Sequence, residues 1–168
     1  MKTAYFAGGC FWCITPTFQE MDGVISVTSG YCGGTEENPS YEDVKHQRTG
    51  HRETIRIEYD ESKVSYFHLV NTFLNHVDPF DDGGQYIDRG HSYTLAIYYS
   101  EEQEADIAQK LLINLQQLTC RIVYVSLEPF STFYTAEEEH QDYYRKHPEE
   151  FRQELIASGR ITEEGTKP

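Results

Sequence analysis

The chain has little positive charge. Its 168 residues carry 14 lysines and arginines against 28 aspartates and glutamates, a formal net charge of −14. Nucleic acids and anionic membranes need a basic footprint, so neither is an expected partner. Long hydrophobic runs are missing too. No stretch reaches the length of a signal-peptide core or a membrane span, and Met1-Lys2-Thr3 leads directly into the first apolar segment. The expected compartment is therefore the cytoplasm. Cysteine occurs four times, at positions 10, 13, 32 and 120. Structural disulfides are rare in that compartment, so these residues point to redox or metal chemistry sooner than to staples. Tryptophan occurs once, at position 12. No internal repeat or low-complexity linker divides the chain. Its length suits one domain with a real core, expected over 1–158. Residues 159–168, with glycine, threonine and charge but no periodicity, are expected to form a frayed tail.

What is present is aromatic and alternating. Apolar residues make up 38% of the chain and aromatic residues 14%, and tyrosine alone occurs 13 times. Short β-branched or alternating runs predict strands over 3–7, 24–29, 53–59, 93–99 and 122–127. Near-helical spacing predicts helices over 12–21, 66–76 behind Ser65, 101–118 behind Ser100, 136–146 and 149–157, with a short one over 41–46. Gly30 to Gly34 reads as open backbone, 78–91 as a long loop and Phe130 to Tyr134 as a connector. The alternation of strands and helices predicts an α/β two-layer sandwich: one mixed sheet, helices packed on it, and long loops around a site.

The chain is organised around Tyr5-Phe6-Ala7-Gly8-Gly9-Cys10-Phe11-Trp12-Cys13. A cysteine that leaves a strand through glycines and enters a helix meets the positive end of the helix dipole, which favours a thiolate. Cys10 is thus a candidate nucleophile, and Phe11 and Trp12 beside it suggest an apolar recess. Cys10 and Cys13 also form a C-x-x-C. Helical neighbours three apart have Cβ atoms ~5–6 Å apart, against ~3.8 Å in a disulfide, so a modest distortion closes the bond. Cys13 reads equally as a core-facing helical residue. Cys32, flanked by glycine-rich backbone, reads as a buried small residue or one able to approach Cys10, and Cys120 as core. Glu53, opening a strand, is a candidate acid if burial raises its pKa. Tyr41, Tyr93 and Asp88 carry only weak local signals.

These weak signals align in a resemblance. Gly9-Cys10-Phe11-Trp12-Cys13 resembles the G-C-F-W signature of the A-type peptide methionine sulfoxide reductases. Gly30-Tyr31-Cys32-Gly33-Gly34, Asn38-Pro39-Ser40-Tyr41 and Thr49-Gly50-His51-Arg52-Glu53 resemble the family's next motifs in order. Asp78-Pro79, Asp88-Arg89-Gly90, Tyr93, Phe133-Tyr134-Thr135-Ala136-Glu137 and His140-Gln141-Asp142-Tyr143 continue it. The resemblance implies roles residue by residue. Cys10 takes the nucleophile position, and Phe11 and Trp12 the wall around the substrate's S-methyl group. Glu53 takes the position of the acid that protonates the sulfoxide oxygen, and Tyr41 and Tyr93 those of hydroxyls bonded to it. Asp88 takes the position that contacts the substrate backbone. The implied activity is reduction of methionine S-sulfoxide, free or in proteins. It would pass through a Cys10 sulfenic acid and a disulfide that thioredoxin reduces, with no bound cofactor or metal, in a monomer. No cysteine follows position 120 and Lys45 stands where some members carry one, which leaves Cys13 as the favoured resolving thiol and Cys32 as the second choice. Leu74, Phe80, Tyr86 and the Ser92-Tyr93-Thr94-Leu95 run depart from the family's usual residues.

Two other classes are weighed beside it. A thioredoxin-like dithiol oxidoreductase would also use a C-x-x-C, but here the tryptophan lies between the cysteines and the strand–helix order does not suit that core. A zinc module would need a second paired-ligand segment, and none is present.

Overall fold

The computed structural model describes residues 1–167. Six strands form one sheet: β1 (Lys2–Gly8), β2 (Val24–Cys32), β3 (Arg52–Tyr59), β6 (Leu95–Tyr99), β7 (Val125–Pro129) and β8 (Phe133–Thr135). Their order is β7-β6-β1-β3-β2-β8. All pairs are antiparallel except β6 with β7. That parallel pair requires a crossover, supplied by α4 (Glu102–Thr119). The sheet is mixed, as the sequence predicts.

Strand alternation sorts the side chains into two faces. Ala4 and Phe6 of β1 join Ile55 and Ile57 of β3 and Leu95 and Ile97 of β6 in the main core. Onto this face pack α1 (Phe11–Gln19) through Phe11, Ile14 and Phe18, and α3 (Tyr66–His76) through Leu69, Val70 and Phe73. Phe6 lies 5.0 Å from Phe73 and 5.8 Å from Phe18, centroid to centroid. Full burial of each such side chain contributes roughly 1.5–3 kcal/mol before entropy is counted. The opposite face carries Ala7, Cys32, Ala96 and Tyr98, covered by Tyr5, Phe130 and Phe133.

The helices over 66–76 and 149–157 are where periodicity places them, the second as α6 (Pro148–Ala157) with Pro148 in its first turn. Ser65 caps α3, its hydroxyl accepting from His68 N at 3.1 Å. Ser100 does not cap α4. Instead the buried Glu104 carboxylate reaches back to Ser100 N at 2.7 Å. Pro16 falls inside α1 rather than in its first turn, so the Trp12 carbonyl has no helical N–H to accept from.

Four readings are corrected. Gly30 to Cys32 is strand, not open backbone, because it pairs with β3 on one side and β8 on the other. Phe130 to Tyr134 contains most of β8 and is not merely a connector. The stretch 136–146 is not one helix. It holds a single turn at Glu138–His140, an irregular Gln141-Asp142 and the short α5 (Tyr143–Lys146), because Gln141 ties this chain to β2 and interrupts the helix. Within 78–91 a two-residue ribbon forms, β4 (Gly84–Gln85) with β5 (Asp88–Arg89). A bidentate pair between Arg89 and Asp81, at 2.6 and 2.7 Å, helps hold it.

Candidate active site

The site forms where β1 hands over to α1. A Cβ on Gly8 would press on the Ile14 and Phe73 side chains, which would have to shift to admit it. Gly9 has φ +84, a left-handed value, and a Cβ there would meet Gln85 at 2.9 Å. The two glycines let the chain turn tightly and set Cys10 at the N-cap of α1. Cys10 is 8% exposed and Cys13 is 6% exposed, both as free thiols.

Glu53 reaches the same place from β3. It shares a strand face with Ile55 and Ile57, so it points under the first turn of α1. Its Oε1 accepts from Phe11 N at 3.1 Å. Only 1% of the residue is exposed, and its Oε2 is buried without a hydrogen-bond partner. Burial pushes the carboxyl up to about 8. The Phe11 amide and the Tyr93 hydroxyl oppose that shift, and the charge of Asp88 adds to it. Glu53 is therefore a neutral acid near pH 7, with one oxygen unspent.

Cys10 departs from expectation. The sequence places it at a helix N-terminus that lowers a thiol's pKa, but the free site holds this thiol well above its usual value. The neighbouring Cys13 thiol acts first, then burial, then the charges of Cys13, Glu53 and Asp88. The helix end is partly spent elsewhere, since the Phe11 amide serves Glu53.

Tyr41, at the start of α2 (Tyr41–Lys45), and Tyr93, in a single turn over His91–Tyr93, complete the polar side. The charges of Glu53, Cys10 and Asp88 all act on both phenols, and burial holds both above the ordinary tyrosine value. Gln47 fixes the turn that carries Tyr93, accepting from Ser92 N at 2.9 Å and donating to Ser92 Oγ at 2.7 Å. Phe11 is buried and Trp12 half-buried. Tyr41 stacks near both rings, with centroids 6.2 Å away in each case.

Several residues in this wall belong to the motifs named from the sequence but were given no role there. His140 stacks on Tyr41 at 4.1 Å and accepts from Trp12 Nε1 at 3.2 Å through Nδ1. Tyr143 stacks on Trp12 at 4.0 Å. Glu137 accepts from Tyr31 Oη at 2.8 Å and from Tyr41 N at 3.0 Å. Gln141 accepts from Ser29 N and donates to Ser29 O, both at 2.9 Å, and so sews this segment to β2. The H-Q-x-Y spacing was the signal, but nothing local says that it folds over Trp12. Glu137, Glu139 and His140 also bring ligand atoms within 4.8 Å of one another. Because Trp12 donates to His140 Nδ1, the neutral ring carries its proton on Nε2, which leaves no free lone pair there for a metal.

Cys32 is the second-choice resolving thiol of the sequence reading. It is fully buried on the opposite face of the sheet, and burial pushes its thiol up to about 12. Cys120 is exposed rather than core, in left-handed conformation at the C-cap of α4. Asp88 lies at the rim, and its Oδ2 accepts from Arg160 Nη1 at 3.1 Å. Arg160 falls in the stretch expected to fray, yet its side chain is only 9% exposed. No helix among the described residues is long and apolar enough to cross a membrane.

A thiol beside a neutral buried acid and two phenols, walled by stacked aromatic rings, is the equipment of a thiol-based oxidoreductase acting on a polar oxygen borne by a small apolar group. The comparisons with known proteins make that class specific. A sequence model of the family described as peptide methionine sulfoxide reductase matches residues 2–166, and the chain belongs to that family. A Streptococcus mutans protein named peptide methionine sulfoxide reductase MsrA is 46% identical over 153 residues, 90% of each chain. The solved methionine sulfoxide reductase A of Corynebacterium diphtheriae superposes with a TM-score of 0.80 at 30% identity, over 88% of this chain and 75% of that one. Mxr1 from Saccharomyces cerevisiae in reduced form gives 0.83 at 25% identity, over 88% and 86%. The same yeast protein in complex with Trx2 gives 0.55 at 17% identity, over 84% of each chain, a likeness of fold alone.

Proposed function

We propose that this protein reduces the S epimer of methionine sulfoxide, free or within proteins, with Cys10 as nucleophile and Glu53 as acid. The observation that carries the reading is the buried Glu53 carboxyl, its pKa raised to about 8, whose Oε2 has no hydrogen-bond partner and whose charge acts on the Cys10 thiol. A sulfoxide sulfur becomes electrophilic when its oxygen receives a proton. Phe11 and Trp12 hold the S-methyl group, the Tyr41 and Tyr93 hydroxyls donate to the oxygen, and Glu53 protonates it. Cys10 sulfur attacks the sulfoxide sulfur, and the oxygen ends on Cys10 as a sulfenic acid while methionine leaves. The proton that the Cys10 thiol gives up restores Glu53, so a resting site with both groups protonated balances the step.

Cys13, three residues on along α1 and close enough to Cys10 to raise its pKa, condenses with the sulfenic acid. That forms the disulfide and releases water. An external dithiol then reduces the bond by exchange. A thioredoxin is proposed for that role, in line with the yeast Mxr1–Trx2 complex. Asp88 is proposed to accept a hydrogen bond from the substrate backbone. The protein is proposed to act as a cytoplasmic monomer without a bound cofactor; the four cysteines are free thiols, the state a reducing compartment maintains.

The test is an assay on both sulfoxide epimers, with mass spectrometry of the cysteines after one turnover. The expected result is methionine from the S epimer only, and a Cys10–Cys13 disulfide. Cys13→Ser should yield one methionine per enzyme and then stop with thioredoxin as reductant. Continued recycling by that variant removes Cys13 from its role.

A further inference from the structure

Helix α6 ends in a way that aims one side chain back at the site. Gly159, with φ +82, donates its N–H to Ile156 O at 3.0 Å, and Arg160 N donates to Leu155 O at 3.0 Å. This pair of bonds is the Schellman termination, which reverses the chain through a left-handed glycine. Reversal sends Arg160 over the Tyr86 ring, 4.7 Å from its centroid, and onto Asp88. Its Nη2 comes within 3.7 Å of the point where a Gly9 side chain would begin, so the guanidinium also abuts the loop that presents Cys10. The arginine side chain is 9% exposed and the aspartate 20% exposed, which makes this a sheltered ion pair and not a surface contact. Arg160 uses Asp88 Oδ2. Among the described residues no donor reaches Asp88 Oδ1.

We infer that Arg160 is a specificity-determining residue: by neutralising Asp88 it makes the substrate-backbone subsite select an acylated, uncharged amide nitrogen over a free ammonium. The inference rests on the proposed contact of Asp88 with the substrate backbone. An unpaired carboxylate would attract a cation most strongly. A carboxylate already paired with a guanidinium offers an ammonium group no net charge, and the fixed positive charge beside it repels the newcomer. A neutral peptide N–H loses little water on entry and needs only the spare Oδ1 lone pairs. The favoured substrates are therefore methionine sulfoxides inside a polypeptide, rather than at its N-terminus.

The test compares two probes that differ only in that nitrogen: N-acetyl-methionine sulfoxide N-methylamide, and the same amide with a free amino group. Both are assayed at about pH 6.5, where an α-amino group is protonated. The wild type should favour the acetylated probe in kcat/KM, mainly through KM. Arg160→Met should shift the ratio of the two probes toward the cationic one by roughly tenfold, the effect of one uncompensated charge in a partly buried site. Arg160→Lys should keep most of the wild-type ratio, which a merely structural role for the side chain would not predict. A ratio unchanged in Arg160→Met overturns the inference. So does a wild type that accepts the cationic probe as well as the neutral one, a result that needs no variant to fold. Asp88→Ala, which removes the acceptor altogether, separates the two readings. If it leaves KM unchanged for both probes, the Asp88 contact itself is wrong. If it raises KM while Arg160→Met leaves the ratio alone, only the role of Arg160 fails.

Discussion

Glu53 carries a conflict between folding and chemistry. A carboxyl buried to this degree is costly when charged, and the fold meets that cost by keeping it protonated up to about pH 8. Its folded pKa lies above the ordinary 4.5, so its contribution to stability is fully present below that value and is lost as pH rises through about 8. Glu53→Gln should therefore unfold at a higher temperature than the wild type at pH 8, with the difference vanishing near pH 4. The same substitution removes the proton donor and should slow single-turnover sulfoxide reduction by on the order of 10²–10⁴-fold. Wild-type activity should fall as pH passes about 8, and stopped-flow turnover across pH 6–9 checks it. An unchanged single-turnover rate in Glu53→Gln would remove this residue from the reaction. In the sequence Glu53 was a weak signal, because a glutamate at a strand mouth is usually solvated. What makes it an acid is burial beneath the α1 turn, which outweighs the opposing hydrogen bond from the Phe11 amide. Cys10, the proposed nucleophile, was singled out from Gly8-Gly9-Cys10. The direction of its shift was not legible there, since the groups that set it come from α1, β3 and β5.

Elements were most legible where one signal decided them. The α3 helix begins and ends where its cap and its apolar spacing say, and Ser65 does the work of a cap in the structure. Ser65→Ala should cost about 1 kcal/mol, read as a shift in the urea midpoint, with sulfoxide reduction unaffected because α3 meets the site only at its far end. Elements that depend on partners were misread. The segment β8 has three residues and no strong pattern of its own. It is a strand because β2 offers it an edge and because Gly30, opposite Thr135, leaves room for the Phe133 ring. The stretch 136–146 has helical composition. It breaks because Gln141 exchanges hydrogen bonds with Ser29, which places His140 and Tyr143 on the Trp12 ring.

Across the whole molecule, the two faces of the sheet divide the labour. One face holds the apolar core and the site. The other carries a polar tie in which Arg52 donates to Glu128 Oε2 at 2.7 Å, Tyr98 Oη at 3.0 Å and Thr94 Oγ1 at 2.8 Å. Arg52 is the neighbour of Glu53 and Thr94 that of Tyr93, so this tie fixes from behind the two segments that carry the acid and a phenol. Glu128→Ala leaves a buried guanidinium without its carboxylate. The expected loss is roughly 2 kcal/mol, below that of a fully buried pair because Glu128 is 34% exposed. Chemical denaturation measures it, and a loss under about 0.5 kcal/mol would mean that water replaces the carboxylate.

The sequence by itself determined the class of fold, the two glycines and cysteine of the β1–α1 turn, and the family, because strand alternation, helix spacing and the motif at Cys10 are local patterns. Only the tertiary structure decided that Glu53 is neutral, that Cys32 lies on the far face, that His140 and Tyr143 complete the aromatic wall, and that Arg160 returns to Asp88. Burial, sheet side and charge pairing are set by residues distant in the chain, and no local pattern encodes the environment that a side chain meets once the chain has closed around it.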